Sequence, residues 1–193
     1  MKSKILFLSL CTMACSSVFA VTPSHTTNSG TAAQASAAQN QQDGEVIGFL
    51  IVLNQNEMAA AKDALNKKVN PKVKSYARML YNDHSKNLKD TMKISKKIGQ
   101  SPAQTNKVAS LKRKGEKAQA SLSSLQDTDF EVAYIDAMVR GHEEALIIID
   151  ENLINNVNNP DLKKHLKTTR SHVQQHLNAA KQIQQNLKSQ ASS

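Results

Sequence analysis

Residues 159–187, NPDLKKHLKTTRSHVQQHLNAAKQIQQNL, contain the pattern that decides the fold. Asn is a favoured helix N-cap and Pro a favoured first helical residue, so the opening Asn-Pro predicts a helix start. Apolar and uncharged residues then recur every three or four positions, which is the spacing of one buried helix face: Leu162, Leu166, Thr169, Val173, His176, Ala180, Ile183 and Leu187. The stretch therefore predicts one long amphipathic helix.

The same spacing recurs in three segments upstream. They cover about residues 45–68, residues 70–99 after a second Asn-Pro, and the residues that follow Asp127. Residues 100–128 carry a thinner apolar stripe, typical of a helix that lies along the outside of a bundle. Strand patterns are missing from the sequence. We therefore expect an all-α fold, a ferritin-like four-helix bundle with an extra helix in the long crossover between helices two and three.

The two ends of the sequence differ from this middle part. Residues 1–20 have a charged start, an apolar run and a small-x-small cleavage site, which is typical of a secretory signal peptide. Residues 21–43 are mostly small and polar, which predicts a flexible linker. The bundle would occupy residues 44–187, and residues 188–193 would form a disordered tail.

A signal peptide predicts a periplasmic protein without a membrane span in the mature chain. Cleavage after residue 20 would remove Cys11 and Cys15, the two cysteines of the sequence, and with them any thiol chemistry. In the alternative, less favoured on sequence grounds because Thr12 fits a lipobox poorly, Cys15 is acylated and anchors a lipoprotein.

Charge and aromatic content limit the partners. The whole chain carries a net charge of +9, with the basic residues spread along helical surfaces. This excess favours contact with an anionic envelope surface. Only three tyrosines and four phenylalanines are present to stack on bases, so we expect no nucleic-acid binding. The sequence leaves the oligomeric state open.

Four polar residues interrupt the apolar stripes, one on each long helix: Glu57, His84, His142 and His176. Counted at about 1.5 Å per residue from the interhelical turns, Glu57 and His84 differ by about one helical turn, and His142 and His176 nearly match. All four meet if the crossover brings the two hairpins into register. Buried carboxylates and imidazoles need partners, and this donor set suits Zn, Cu, Fe or Ni. The sequence therefore predicts a transition-metal site in the bundle core. Four further residues stand within a residue or a turn of these, as extra ligands or orienting groups: Asp83, Glu143, Glu144 and His172.

Other interpretations of the polar residues remain open. The same side chains would also serve a structural or interaction module of the envelope, as a hydrogen-bonded core network. A di-iron oxidase is less favoured, because such sites use about four carboxylates and only Glu57 is well placed. His172 and His176 lie one turn apart, but Val173 replaces the Glu of a zincin motif. We therefore expect a non-enzymatic protein that serves envelope metal handling or stress protection.

The remaining histidines and two methionines are assigned simpler roles. His165 is predicted to lie on the surface and His25 in the linker, while Met92 and Met138 are predicted to be ordinary core residues. Thr91 is the alternative to Met92 on the stripe of the second helix.

Three segments resemble a known family: residues 56–87 (NEMAAAKDALNKKVNPKVKSYARMLYNDHSKN), 129–145 (DFEVAYIDAMVRGHEEA) and 159–180. The family comprises secreted bacterial ferritin-like proteins with a numbered domain of unknown function, often labelled outer-membrane proteins. The resemblance covers about residues 44–186 and implies fold and location more than activity. Its pattern falls on Glu57, Asp83, His84, Tyr134, Met138, His142 and His176.

Residues 129–145 are also similar to a copper-associated ferritin-like family with a Met-Met-x-x-His-His pattern. Here Ala137 and Gly141 replace the first Met and the first His of that pattern. The resemblance therefore implies no copper site by itself.

Overall fold

The computed structural model describes residues 29–191, and within them the regular structure is helical throughout. The elements are α1 (Ser29–Asn66), α2 (Pro71–Lys97), α3 (Asn106–Ser123), α4 (Asp127–Ile148), a π-helical turn (Ile149–Leu153) and α5 (Pro160–Ala191). The predicted all-α class and the helix in the crossover are confirmed. The predicted signal peptide, the Cys15 anchor and His25 lie outside the described residues.

Side-chain caps define the predicted helix starts. Asn70 accepts a hydrogen bond from the Lys72 amide at 2.9 Å, with Pro71 as the first helical residue. Asn159 caps α5 in the same way, accepting from the Asp161 amide at 3.0 Å. Both Asn-Pro pairs thus begin helices, because the Asn side chain satisfies an amide that has no partner within the helix.

Helices α1 and α5 are longer than predicted. Helix α1 begins at Ser29, so residues 29–43 are helical where a flexible linker was predicted. Helix α5 continues to Ala191, into the predicted disordered tail. The prediction considered only the lack of apolar surface, whereas Ala and Gln are good helix formers and can extend an existing helix. Asp43 is buried, and its carboxylate accepts a hydrogen bond from the backbone N–H of Asn158 at 2.8 Å. This bond attaches the end of this segment of α1 to the loop before α5.

The long helices pack as two hairpins. Helices α1 and α2 form an antiparallel pair, as do α4 and α5. Helices α2 and α5 are also antiparallel neighbours, because Asn87 bonds to Thr169 at 2.7 Å while Lys97, further along α2, pairs with Asp161, which is earlier in α5.

The crossover helix α3 runs beside α1 in the same direction. The side-chain amide of Asn56 donates to the backbone carbonyl of Leu111 at 3.1 Å, and the ammonium of Lys67 donates to the backbone carbonyl of Leu125 at 2.7 Å. Lys67 also lies 4.9 Å from the centroid of the Phe130 ring, near the start of α4. Helix α4 therefore begins where α2 begins, and the two run parallel, as the length of the crossover predicted.

The core lies between the two hairpins. Its largest fully buried apolar side chains are Tyr134, Phe130, Ile47, Leu50, Leu80, Ile135, Ile149, Leu162 and Leu166. The prediction that Met92 belongs to the core is wrong, since its side chain is 58% exposed and Thr91 takes the buried position. No helix among residues 29–191 combines the length and the apolar character that a bilayer crossing requires.

Candidate metal centre

Three of the predicted site residues meet in the core. His84 on α2, His142 on α4 and His176 on α5 are each 2–3% exposed. Their ring centroids are 5.1 to 6.1 Å apart, and one ligand nitrogen from each lies within 4.8 Å of the others. The predicted common height of these histidines is thus observed.

Each imidazole uses one nitrogen to bond an acceptor outside the cluster. His84 Nδ1 faces Asn54 Oδ1 at 2.9 Å, His142 Nδ1 faces the Met138 carbonyl at 2.8 Å, and His176 Nε2 faces Asp83 Oδ2 at 3.0 Å. Because these oxygens can only accept, each facing nitrogen carries the hydrogen. The other nitrogen of each neutral ring then carries no hydrogen, and its lone pair can bind a metal ion.

The unprotonated nitrogens have no protein partner among residues 29–191. His84 Nε2, His142 Nε2 and His176 Nδ1 are buried and form no hydrogen bond with this part of the chain. Buried polar atoms in folded proteins are nearly always paired, so three unpaired acceptors at one point require an explanation. A metal ion would accept all three lone pairs at once.

A chain of hydrogen bonds fixes the orientation of His84. Asn54 donates from Nδ2 to Asn87 Oδ1 at 2.8 Å and to a carbonyl one turn earlier in α1 at 2.6 Å. Asn87 donates to Thr169 Oγ1 at 2.7 Å, and Thr169 donates to the carbonyl of His165 at 3.0 Å. Since backbone carbonyls only accept, the chain has one direction, and Asn54 must present its oxygen to His84.

Glu57 lies beside the three histidines but outside the set of mutually close ligand atoms. It is buried, and its Oε2 has no hydrogen-bond partner in the described residues 29–191. Burial raises the pKa of the Glu57 carboxyl, and the neighbouring His142 opposes this shift. The structure thus brings the three predicted histidine ligands together and leaves Glu57 outside this group.

Burial also favours the neutral imidazoles of His84 and His176. It lowers the pKa of His84 well below 6.5, and His176 and His142 nearby lower it further. Burial lowers the pKa of His176 as well, although the hydrogen bond to Asp83 works in the opposite direction. Neutral imidazole is the form that binds metal, so the environment favours the binding-competent state near neutral pH.

The predicted additional residues have different positions. Asp83 is half-exposed and holds the N–H of His176, the orienting role considered for it. Glu143 is directed instead to Lys181 at 2.6 Å, and Glu144 pairs with Lys114. Because surface lysines hold both carboxylates, neither faces the cluster.

Two other histidines lie away from the centre. His172 is partly exposed beside the lysines of α5 and is not part of the cluster. His165 was predicted to lie on the surface, but it is partly buried and its Nε2 bonds to Thr91 Oγ1 at 2.8 Å.

Sequence reasoning missed Asn54 and gave Tyr134 no role beyond the family resemblance. Asn54 stands one turn after Leu50 on the buried face of α1, so its spacing was the available signal. The Tyr134 hydroxyl is buried without a partner. Burial and the nearby Glu57 raise the pKa of Tyr134, which therefore keeps its proton.

The donor set fits a transition metal. Nitrogens around a tetrahedral ion bound at about 2.0–2.1 Å are about 3.4 Å apart, so the three rings would need to approach by about 1 Å. Three neutral nitrogens do not suit Mg or Ca, which prefer oxygen ligands. The three buried histidines could thus hold a transition-metal ion.

Comparison with known proteins identifies a family and no activity. Neither the curated proteins nor the solved structures include a match to the chain. A family model described as "Domain of unknown function (DUF4142)" matches residues 28–183, which include all three histidines. The sequence resemblance to an uncharacterised family is thereby confirmed. The chain belongs to the DUF4142 family of domains of unknown function.

Proposed function

We propose that this protein is a periplasmic, ferritin-like helical bundle that binds a transition-metal ion between His84, His142 and His176 and serves envelope metal handling or stress protection. The observation that carries the proposal is the set of three buried nitrogens that face one another without hydrogen-bond partners. Each ring is held by an acceptor on its far side, the arrangement that orients metal-binding histidines in proteins.

The alternative of a hydrogen-bonded core network accounts for only part of the site. Asn54, Asn87 and Thr169 do form such a network. The three inward nitrogens do not take part in it, and a water molecule has only two hydrogens to donate. One water would therefore leave one nitrogen unpaired, whereas a metal ion would satisfy all three.

The helix connectivity supports the ferritin-like part of the proposal. Two antiparallel hairpins joined by one long crossover, with the second and fourth helices of the chain parallel, match the connectivity of that class. Di-iron members use about four carboxylates in the core, whereas this centre has Glu57 as its nearby buried acid. We therefore favour metal binding over oxidase activity.

The metal would be Zn, Cu, Fe or Ni, since these ions accept imidazole ligands. Three protein ligands leave a fourth position free, as in metal sites that bind water or small molecules. We assign Glu57 to the neighbourhood of that position, where its carboxyl group would hydrogen-bond a ligand of the metal rather than bind the metal itself.

The cellular location rests on sequence features. Residues 1–20 support export, and the excess of Lys and Arg supports contact with anionic envelope surfaces. Both belong to the proposal together with the metal centre.

Metal analysis of the purified, untagged mature protein tests the proposal. We expect about one transition-metal ion per chain after exposure to Zn, Cu, Ni or Fe(II), with a melting temperature raised by about 5–10 °C. His84→Ala and His142→Ala should remove the bound ion. His172→Ala is the matched control, a helical histidine outside the cluster, and should keep it.

Circular dichroism of each variant would establish that it still folds. An unmodified protein without metal, or variants that retain it, would contradict the proposal and favour the interaction module.

A further inference from the structure

The crossover helix leaves a cleft that reaches Glu57, next to the candidate metal centre. Helix α3 is closely packed on α1, because the backbone of Gly115 lies against the side chain of Asn56, where a Cβ would come within 2.2 Å. Helix α3 meets α4 more loosely, through contacts that include the ion pair of Lys114 and Glu144. Between these helices lies a cleft of about 250 Å³.

The inner end of this cleft reaches Glu57, beside the candidate site, and the three histidines are not among its lining residues. Glu57 and Met138 line it, and the carbonyl of Met138 is the acceptor that holds His142. Gly141, the residue before His142, also lines the cleft. Because glycine has no side chain, the space beside Glu57 is open, and a Cβ at Gly141 would lie 3.9 Å from Glu57 Oε1.

The walls and the outer end of the cleft indicate what it admits. The walls are mostly apolar and include Phe49, Leu53 and Leu111. Its outer end carries the ion pair of Lys114 and Glu144 together with the exposed Arg140, whose guanidinium forms no ion pair in the part of the chain that the structure describes. Fixed positive charge at the opening of a low-dielectric cleft attracts small anions. The volume lies just below the usual range of drug-sized pockets, so the cleft suits a small ligand.

We propose that the α3–α4 cleft delivers a small anionic ligand to the fourth coordination position of the metal held by His84, His142 and His176. The inference rests on the proposed metal site and adds a ligand class and an access route to it. The ligand enters past Arg140, crosses the apolar walls and meets the metal beside Glu57.

Anion titrations of the Co(II)- or Cu(II)-loaded protein test this inference. Azide and formate, as an inorganic and a carboxylate probe, should each change the visible spectrum of the bound ion. Gly141→Leu and Ala137→Leu place side chains in the cleft and should weaken anion binding about tenfold or more while the metal content stays the same. Ala120→Leu on the exposed surface of α3, outside the cleft, is the control and should behave like the unmodified protein.

Arg140→Ala should slow anion association and reduce its dependence on ionic strength, since it removes a cation from the opening. The inference is refuted if Gly141→Leu and Ala137→Leu both bind anions as tightly as Ala120→Leu does. It is also refuted if neither azide nor formate changes the spectrum of the metal-loaded protein. A protein that binds no metal would refute the proposed function first, and this inference with it. The metal content measured before the titration distinguishes these failures.

Discussion

Replacing Asn54 with leucine would test whether the hydrogen-bond chain behind His84 prepares the metal centre. Asn54 is fully buried, its Oδ1 bonds His84 Nδ1 at 2.9 Å, and its Nδ2 bonds Asn87 Oδ1 at 2.8 Å. Leucine is of similar size but has neither donor nor acceptor. Asn54→Leu therefore leaves two buried groups without partners, the N–H of His84 and the side-chain oxygen of Asn87.

The expected effects on stability and on metal affinity are separate. Each of the two unpaired buried groups costs about 1–3 kcal/mol, and burying the leucine side chain returns about 2 kcal/mol, so the metal-free protein should lose up to about 4 kcal/mol. Loss of the group that orients a metal-binding histidine typically lowers affinity about 10–100-fold. We expect a decrease in that range, because His84 can then rotate or change tautomer.

Thr169→Val is the matched control. It breaks the same chain two steps further from the metal and leaves the Asn87 amide unpaired, which costs about 1–3 kcal/mol. Asn54 keeps its bond to the backbone carbonyl of Leu50, so its oxygen still faces His84. Metal affinity should therefore stay within about threefold of the unmodified protein although stability falls.

Three measurements would decide the question. Denaturant unfolding of the metal-free proteins gives the stability change, and competition with a chelator gives the metal affinity. Nitrogen chemical shifts of His84 report which ring nitrogen carries the hydrogen. The reasoning is refuted if Asn54→Leu binds metal as tightly as the unmodified protein, if Thr169→Val loses equal affinity, or if His84 carries its hydrogen on Nε2 in the metal-free state.

Two further predictions concern stability. Burial lowers the pKa of His84 below 6.5, so as the pH falls a proton binds His84 in the unfolded chain before it binds His84 in the folded protein. At pH values below 6.5, the metal-free protein should therefore lose up to about 1.4 kcal/mol of stability per pH unit. In His84→Asn, the stability measured from unfolding curves should lack this contribution to the pH dependence. Burial raises the pKa of Glu57, which has the opposite effect on stability, but Glu57 is present in both proteins, so its effect cancels when the two are compared. Gly141→Ala should stabilise the fold by about 0.5–1 kcal/mol, since its Cβ meets only an ordinary contact and alanine favours helix. Gly115→Ala should instead cost about 1 kcal/mol, because its Cβ would displace Asn56 from its hydrogen bond to α3; equal melting temperatures for the two variants would contradict this.

Helical periodicity was enough to predict the all-α class and most of the buried helix faces of this chain. The two Asn-Pro starts and the three-and-four spacing depend on local chemistry, which the sequence contains in full. The early start of α1 at Ser29 was not predicted, because residues 29–43 offer little apolar surface and only the helix propensity of their Ala and Gln residues indicates a helix. The π-helical turn at Ile149–Leu153 lacked any recognised sequence signal. Thr91 and Met92 are adjacent on the stripe, and which of them is buried depends on the exact rotation of α2.

The sequence could predict which histidines form the centre but not which nitrogen of each ring faces it. Because helical rise is constant, counting residues from the turns placed His142 and His176 at one height, and His84 joined them on the condition that the crossover aligns the two hairpins. Which nitrogen of each ring faces inward depends on Asn54, the Met138 carbonyl and Asp83, and these contacts exist only after the helices pack. Periodicity likewise could not show that lysines on neighbouring helices hold Glu143 and Glu144.

The energy of the metal-free centre supports a binding role over a structural one. Three buried acceptors without partners cost about 1–3 kcal/mol each, a sum comparable with the net stability of many whole domains. Apolar residues at His84, His142 and His176 would remove that cost without changing the helical pattern. Instead, each ring has an acceptor that holds its N–H outward and leaves its lone pair directed at the other two. A ligand that binds only the folded state stabilises it in proportion to its affinity, so a bound metal ion would turn the most unfavourable part of this core into a source of stability.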